Sequence, residues 1–208
     1  MTVSPTDPAT TDVTPATPPT GTWHIDPLHS SVGFVARHLG FVRVRGRFSD
    51  VEGTLHITDP AEDSSAEVRV ATATVDTGVP ARDRHLRSAE FFDSANHPVM
   101  EFHGHNVRRE AGHWSMDGDL TIAGTTRPVT LVGEFLGEDI FPFTGGRRLA
   151  FTGRARVDRR EFGVSGLPPL PGATIFVGAE VDIELDISMV EHDVRPFAEQ
   201  ILGRRLAV

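Results

Sequence analysis

Apolar and polar residues alternate with a period of two along most of this chain. The clearest run is Thr174 to Met189. Ile175, Val177, Ala179, Val181, Ile183, Leu185, Ile187 and Met189 fall on one face, and Phe176, Gly178, Glu180, Asp182, Glu184, Asp186 and Ser188 on the other. Successive side chains of a strand point to opposite sides of the sheet, so this is a strand with one dry and one wet face. Strands commonly hold about five or six residues, and runs this long are what a barrel or a large curled sheet needs.

The same pattern recurs. Val32, Phe34 and Ala36 alternate with Gly33, Val35 and Arg37; Val68 and Val70 lead a run that ends near Val75; Met100 and Phe102 mark another. Leu120 and Ile122 follow after Trp114. Val129, Leu131, Gly133 and Phe135 form the next, and Leu149, Phe151, Gly153, Ala155 and Val157 the one after. Between the runs stand turn signals: Thr58-Asp59-Pro60, Glu110-Ala111-Gly112, Ala123-Gly124-Thr125 and Thr144-Gly145-Gly146. Roughly eight strands with short connections predict an all-β fold, an antiparallel meander closed as a barrel. Strand parity then places Val32, Phe34, Met100, Phe102, Leu120, Ile122, Leu131, Phe135, Leu149, Phe151, Val177 and Val181 inside it. Gly133 and Ala155 share that inward parity, and Val132 is one residue off it.

Two segments break the β pattern. Pro80 to Phe92 begins with a residue suited to a first helical turn, and Leu86 and Ala89 share a face. A short helix crossing one mouth of the barrel is expected, with Leu86, Phe91 and Phe92 near the opening. At the C-terminus, Val194, Phe197, Ala198, Ile201 and Leu202 follow helical spacing after Asp193, a good N-cap. Residues 191–208 are therefore read as an amphipathic helix that could pack on the barrel wall, join two subunits or lie on a membrane, with packing or dimerisation the plainer reading. Residues 1–21 are rich in Thr, Pro and Ala, lack an apolar face and are expected to be a disordered, dispensable tail. The barrel domain is left with residues 22–190.

Composition narrows the function. The chain has no Cys, so thiolate nucleophiles, disulfides and Cys-based metal sites are excluded. Its net charge of −9 makes it a poor partner for nucleic acid. No stretch approaches the ~20 apolar residues of a membrane-spanning helix. The start of the chain shows neither the basic nor the apolar region of a secretory signal, and a cytoplasmic location is expected.

Candidate chemistry is sparse. His103 and His105 share one strand face, a spacing that suits a metal site, but Phe102 points inward and so turns both rings outward. His29, His38, His85 and His97 lie near apolar residues, and no nucleophile in a recognisable context accompanies them. Arg43, Arg45 and Arg47 form a row on one face that could greet an anionic head group. No catalytic residue, metal or cofactor is expected. What remains is the interior, where small residues among large apolar ones leave room for an apolar guest.

The same residues resemble a known family. Asp26-Pro27-Leu28-His29-Ser30 leading into Val32, Phe34 and His38, then Gly46-Arg47-Phe48, resemble the opening of YceI-like proteins. Arg82-Asp83, His85-Leu86-Arg87-Ser88, Phe91-Phe92-Asp93 and Pro98 resemble the family's helical segment. Gly118-Asp119-Leu120-Thr121-Ile122 with Gly124, Thr126 and Arg127 resembles its central hairpin, and Arg160-Glu161-Phe162-Gly163-Val164 its late turn. The resemblance implies an elongated, lipocalin-like eight-stranded antiparallel barrel. It also implies a lipid or polyisoprenoid ligand in the pore, and in some relatives a homodimer. It supplies no reaction. The expected function is to carry or sequester a long-chain apolar ligand. An enzyme acting on such a lipid through a His or a metal, and an assembly or stress protein with an incidental cavity, are the rivals.

Overall fold

In a computed structural model of the chain, residues 17–110, 112–140, 146–165 and 177–208 are described. Most of the expected N-terminal tail and the first residues of the longest alternating run, Thr174–Phe176, lie outside them. The strands are β1 (Gly21–Ile25), β2 (Ser31–His38), β3 (Val42–Phe48), β4 (Val51–Ile57), β5 (Ser65–Ala71), β6 (Val75–Asp76), β7 (Val99–Glu110), β8 (His113–Ile122), β9 (Thr125–Ile140), β10 (Arg147–Asp158) and β11 (Val177–Val190). Helix α1 (Pro80–Arg87) precedes β7, and α2 (Arg195–Leu202) follows β11.

The eleven strands make eight staves of one closed antiparallel barrel. β1 and β4 pair, as do β2 and β3, so β1/β2 and β3/β4 are two long staves, each broken in the middle. β5 and β6 form a third broken stave, pairing with β4 and β3. The meander then runs β5–β7–β8–β9–β10–β11, and β11 closes the ring by pairing with both β2 and β1. β9 alone holds 16 residues, about 50 Å of extended chain.

The three broken staves are neighbours, so their breaks line up as a crease, and buried polar side chains replace the missing ladder there. At the first break the Asp26 carboxylate accepts from Leu28 N–H at 3.0 Å, while Ser30 Oγ donates to Ser188 O and accepts from Ser188 N–H. At the second and third, Thr74 Oγ1 accepts from the N–H groups of Ser49 and Asp50 and donates to Ala71 O. Asp26, Asp50 and Thr72 are buried in consequence, each with hydrogen-bond partners, as buried polar groups require.

Two helical expectations change in detail. α1 ends at Arg87, where Ser88 returns a backbone N–H and its hydroxyl to His85 O; Phe91 and Phe92 come from the turns that follow. α2 starts after Asp193, whose carboxylate accepts from Arg195 N–H at 2.8 Å. Of its apolar face only Ala198 is buried, while Phe197, Ile201 and Leu202 are exposed. The segment after α2 is pinned instead by polar contacts: Arg204 grips Asp50 with both terminal nitrogens, and Ala207 N–H adds a third bond to the same carboxylate. Among the described residues no helix is long and apolar enough to cross a membrane.

Candidate functional site

Inward-facing residues enclose a cavity of about 640 Å³ in the barrel, within the ~300–1,000 Å³ range of small-molecule sites. Its wall is almost wholly apolar. β11 contributes Val177, Val181, Ile183, Leu185, Ile187 and Met189, the alternating set expected of it. Val32 and Phe34 come from β2, Met100 and Phe102 from β7, Leu120 and Ile122 from β8, Leu131 from β9 and Phe151 from β10. Leu86, Phe91 and Phe92 cover the end where α1 crosses.

Phe135 and Leu149 do not line the cavity. Both have inward parity, but they sit where the bore is filled. Leu149 is 1% exposed and packs in the core that holds Trp23 and Met189, and the Phe135 ring lies 5.1 Å from Phe151. Parity gives the side of the wall and not the depth along it. Other lining residues continue the parity already read: Trp114 and Met116 precede Leu120 on β8, and Leu55 and Val68 face the cavity from β4 and β5. Val107 is different. A bulge places His105 opposite Asp117 and Val107 opposite Met116, so Asn106, at φ 52°, is the extra residue and the faces invert beyond it.

Glycines shape the wall. A Cβ on Gly118 would stand 2.4 Å from the Phe102 ring, so that ring lies flat across the site the glycine leaves. Gly133 is close-packed against backbone: a Cβ there would meet Thr152 O at 2.2 Å. Parity alone would choose Gly133 for a pore-filling substitution, and the structure rules it out as one that would break the strand pair.

The polar groups lie at the ends. At the α1 end, Arg159 reaches the cavity wall and donates to the carbonyls of Gly178, Val164 and Val177 at 2.7–3.0 Å. Burial pulls its pKa down, against the neighbouring Asp158 carboxylate, and an arginine remains a cation at neutral pH. The Arg160 guanidinium in turn holds the Asp158 carboxyl at about 2. At the opposite end Thr17–Thr20, inside the segment expected to be a free tail, line the cavity mouth. Trp23 Nε1 donates to Pro19 O at 3.3 Å, and Arg109, stacked over Trp114, donates to Thr17 Oγ1 at 3.2 Å.

The histidines do not converge on the cavity. His103 and His105 are exposed on the outer wall. His29 pairs with Asp26 and His85 with Glu90. Among the described residues no three His, Asp or Glu side chains are placed to hold a metal.

A YceI-like domain model matches residues 23–189. The chain belongs to the YceI-like family. Curated YceI relatives include a UPF0312 protein of Vibrio cholerae, 34% identical over 159 residues that cover 75% of this chain and 81% of the relative. Among solved YceI-like folds, BcnA of Burkholderia cenocepacia superposes with a TM-score of 0.69 at 20% identity, covering 79% of this chain and 98% of BcnA. A polyisoprenoid binding domain from Saccharophagus degradans superposes with a TM-score of 0.58 at 14% identity, covering 81% and 97%. The eight-stranded barrel and its order of elements are thus those of the YceI-like fold.

Proposed function

We propose that the barrel binds one long-chain apolar molecule, a polyisoprenoid or another lipid amphiphile, and carries or sequesters it without acting as an enzyme. The observation that carries this reading is the apolar cavity itself, walled by all eight staves. Each methylene buried from water contributes about 0.8 kcal/mol, so an alkyl or prenyl chain of ten or so carbons can bind tightly without a head-group contact. The family tie and the polyisoprenoid binding domain among the structural neighbours agree with it. The test is organic extraction of purified protein followed by mass spectrometry. One apolar amphiphile should co-extract in near-stoichiometric amount; a folded barrel that is empty and cannot be loaded removes the reading. Stoichiometric metal bound by the purified protein would favour the enzyme instead.

The segment Thr17–Thr20 should slow exchange at the mouth it covers. Its Pro18-Pro19 pair is stiff before docking, so ordering it costs little. Removing residues 1–20 deletes the two hydrogen bonds from Trp23 and Arg109, about 2 kcal/mol together. Release of a bound fluorescent fatty acid, followed by stopped flow, should quicken roughly thirtyfold. An unchanged rate would place the route of exchange at the α1 end.

A further inference from the structure

The β2–β3 hairpin makes choices that work against its own stability. Its tip, His38 to Phe41, is a tight turn with Leu39 at φ 53° and Gly40 at φ 81°. Two consecutive left-handed residues favour Asn, Asp or Gly, and a Leu there is strained. Leu39 is nevertheless exposed, with Val42 beside it and Phe41 74% exposed at the apex. Directly behind the tip Arg37 stands opposite Arg43, like charges facing each other across the strand pair. In a chain of net charge −9, residues 27–49 hold four Arg and no acidic residue.

The flanking strand β11 carries Asp182, Glu184 and Asp186 opposite Val35, Gly33 and Ser31, yet among the described residues no ion pair joins Arg37, Arg43 or Arg45 to a carboxylate. Asp76 lies 3.6 Å from Arg47, and Asp182, opposite Val35 on β11, already binds Arg156. The hairpin also stands at the α1 end of the cavity. His38 pairs with the lining residue Val177, and Arg47 pairs with Asp76, which leads into α1. A row of rings, Phe34 to Phe48 at 5.8 Å and Phe48 to Phe92 at 5.5 Å, joins its strands to the segment over that mouth.

We propose that this hairpin docks the barrel on an anionic lipid surface. Leu39, Phe41 and Val42 enter the head-group layer, and Arg37, Arg43 and Arg45 lie against the anionic head groups. An exposed apolar apex backed by unopposed Arg complements such a surface, and the acidic remainder of the barrel is repelled from it, which sets the orientation with the α1 mouth toward the membrane. The proposal goes beyond the carrier reading and gives it a place to load.

Sedimentation of the full chain with vesicles tests it. The protein should bind equimolar phosphatidylcholine and phosphatidylglycerol and hardly bind phosphatidylcholine alone. Arg43→Gln with Arg45→Gln should lower the partition coefficient roughly thirtyfold, the loss of two surface basic residues at about 1 kcal/mol each. Leu39→Asn separates docking from folding, because it should raise Tm by relieving the turn while weakening vesicle binding. Phe197→Ser with Ile201→Ser, on the exposed face of α2, should change nothing. Equal binding to both vesicles, no binding to either, or binding lost through α2 and kept in the hairpin variants would overturn the proposal. Extraction judges the cavity separately: an empty barrel that sediments keeps the docking surface, and a loaded barrel that does not sediment removes it.

Discussion

Gly153→Phe is expected to block ligand uptake while leaving the barrel folded. Gly153 lines the cavity from β10, and the nearest atoms a Cβ there would meet are those of the Leu185 side chain, at 3.3 Å and beyond. A flexible side chain can give by a few tenths of an ångström, so the new ring has a way into the bore. There it displaces guest. Removing contact with about four methylenes forfeits about 3 kcal/mol, which is roughly two orders of magnitude in affinity. Ala155→Phe, opposite Ile183 on the same inward face, should act in the same direction. Arg154→Gln is the control, since Arg154 is exposed on the off-parity face of β10 and is not among the cavity-lining residues; Val132, also off parity and 39% exposed, touches the cavity and cannot serve. Fluorescent fatty-acid titration reads the affinity and circular dichroism reads the fold. Retained affinity in a folded Gly153→Phe protein would show that the guest lies outside the bore.

The choice of Gly153 over Gly133 shows how far the sequence can be read. Alternation alone assigns the dry face of β11 and picks Val32, Phe34, Met100, Phe102, Leu120, Ile122, Leu131 and Phe151 as lining, because period two is a local property. It cannot distinguish two glycines of equal parity, one facing a soft leucine and the other a backbone carbonyl. Nor can it give depth, which is why Phe135 and Leu149 fall in the filled part of the bore. The bulge at Asn106 carried a faint signal, since Asn tolerates a left-handed backbone. The crease carried almost none. Its bonds join Asp26 to Arg148 and Asp50 to Arg204, residues far apart in sequence that only the closed ring brings together. The contacts of Thr17–Thr20 are hidden in the sequence for a related reason: they run through backbone and hydroxyl oxygens, which a search for apolar faces does not see.

The largest loss of stability is expected from Asp26→Ala. The carboxylate is 1% exposed at the first break of the crease and accepts from Arg148, from His29 at 2.8 Å and from Leu28 N–H. Burial by itself raises its pKa, but the bonds from Arg148, His29 and Leu28 outweigh burial and hold it below the ordinary value. Alanine removes all three bonds and takes the carboxylate from the partly buried Arg148 guanidinium, which keeps its bond to Ser188 Oγ; breaking a buried ion pair from one side usually costs about 3–5 kcal/mol. For a chain of this size that is roughly 6–20 °C in Tm. Asp117→Ala is the contrast. Asp117 also binds an arginine, Arg108, together with Thr130 and Asn106, but on the solvated outer wall, where screening should leave a far smaller change. The pH dependence separates the ionic part of the loss from the packing part. A carboxyl whose folded pKa is depressed contributes stability that is present above its unfolded value, about 4, and is lost as pH falls through the folded value. The gap in Tm between wild type and Asp26→Ala should therefore be widest near neutrality and narrow steadily below about pH 4. A gap that stays constant down to about pH 2 would mean that Asp26 holds the corner by shape and not by charge.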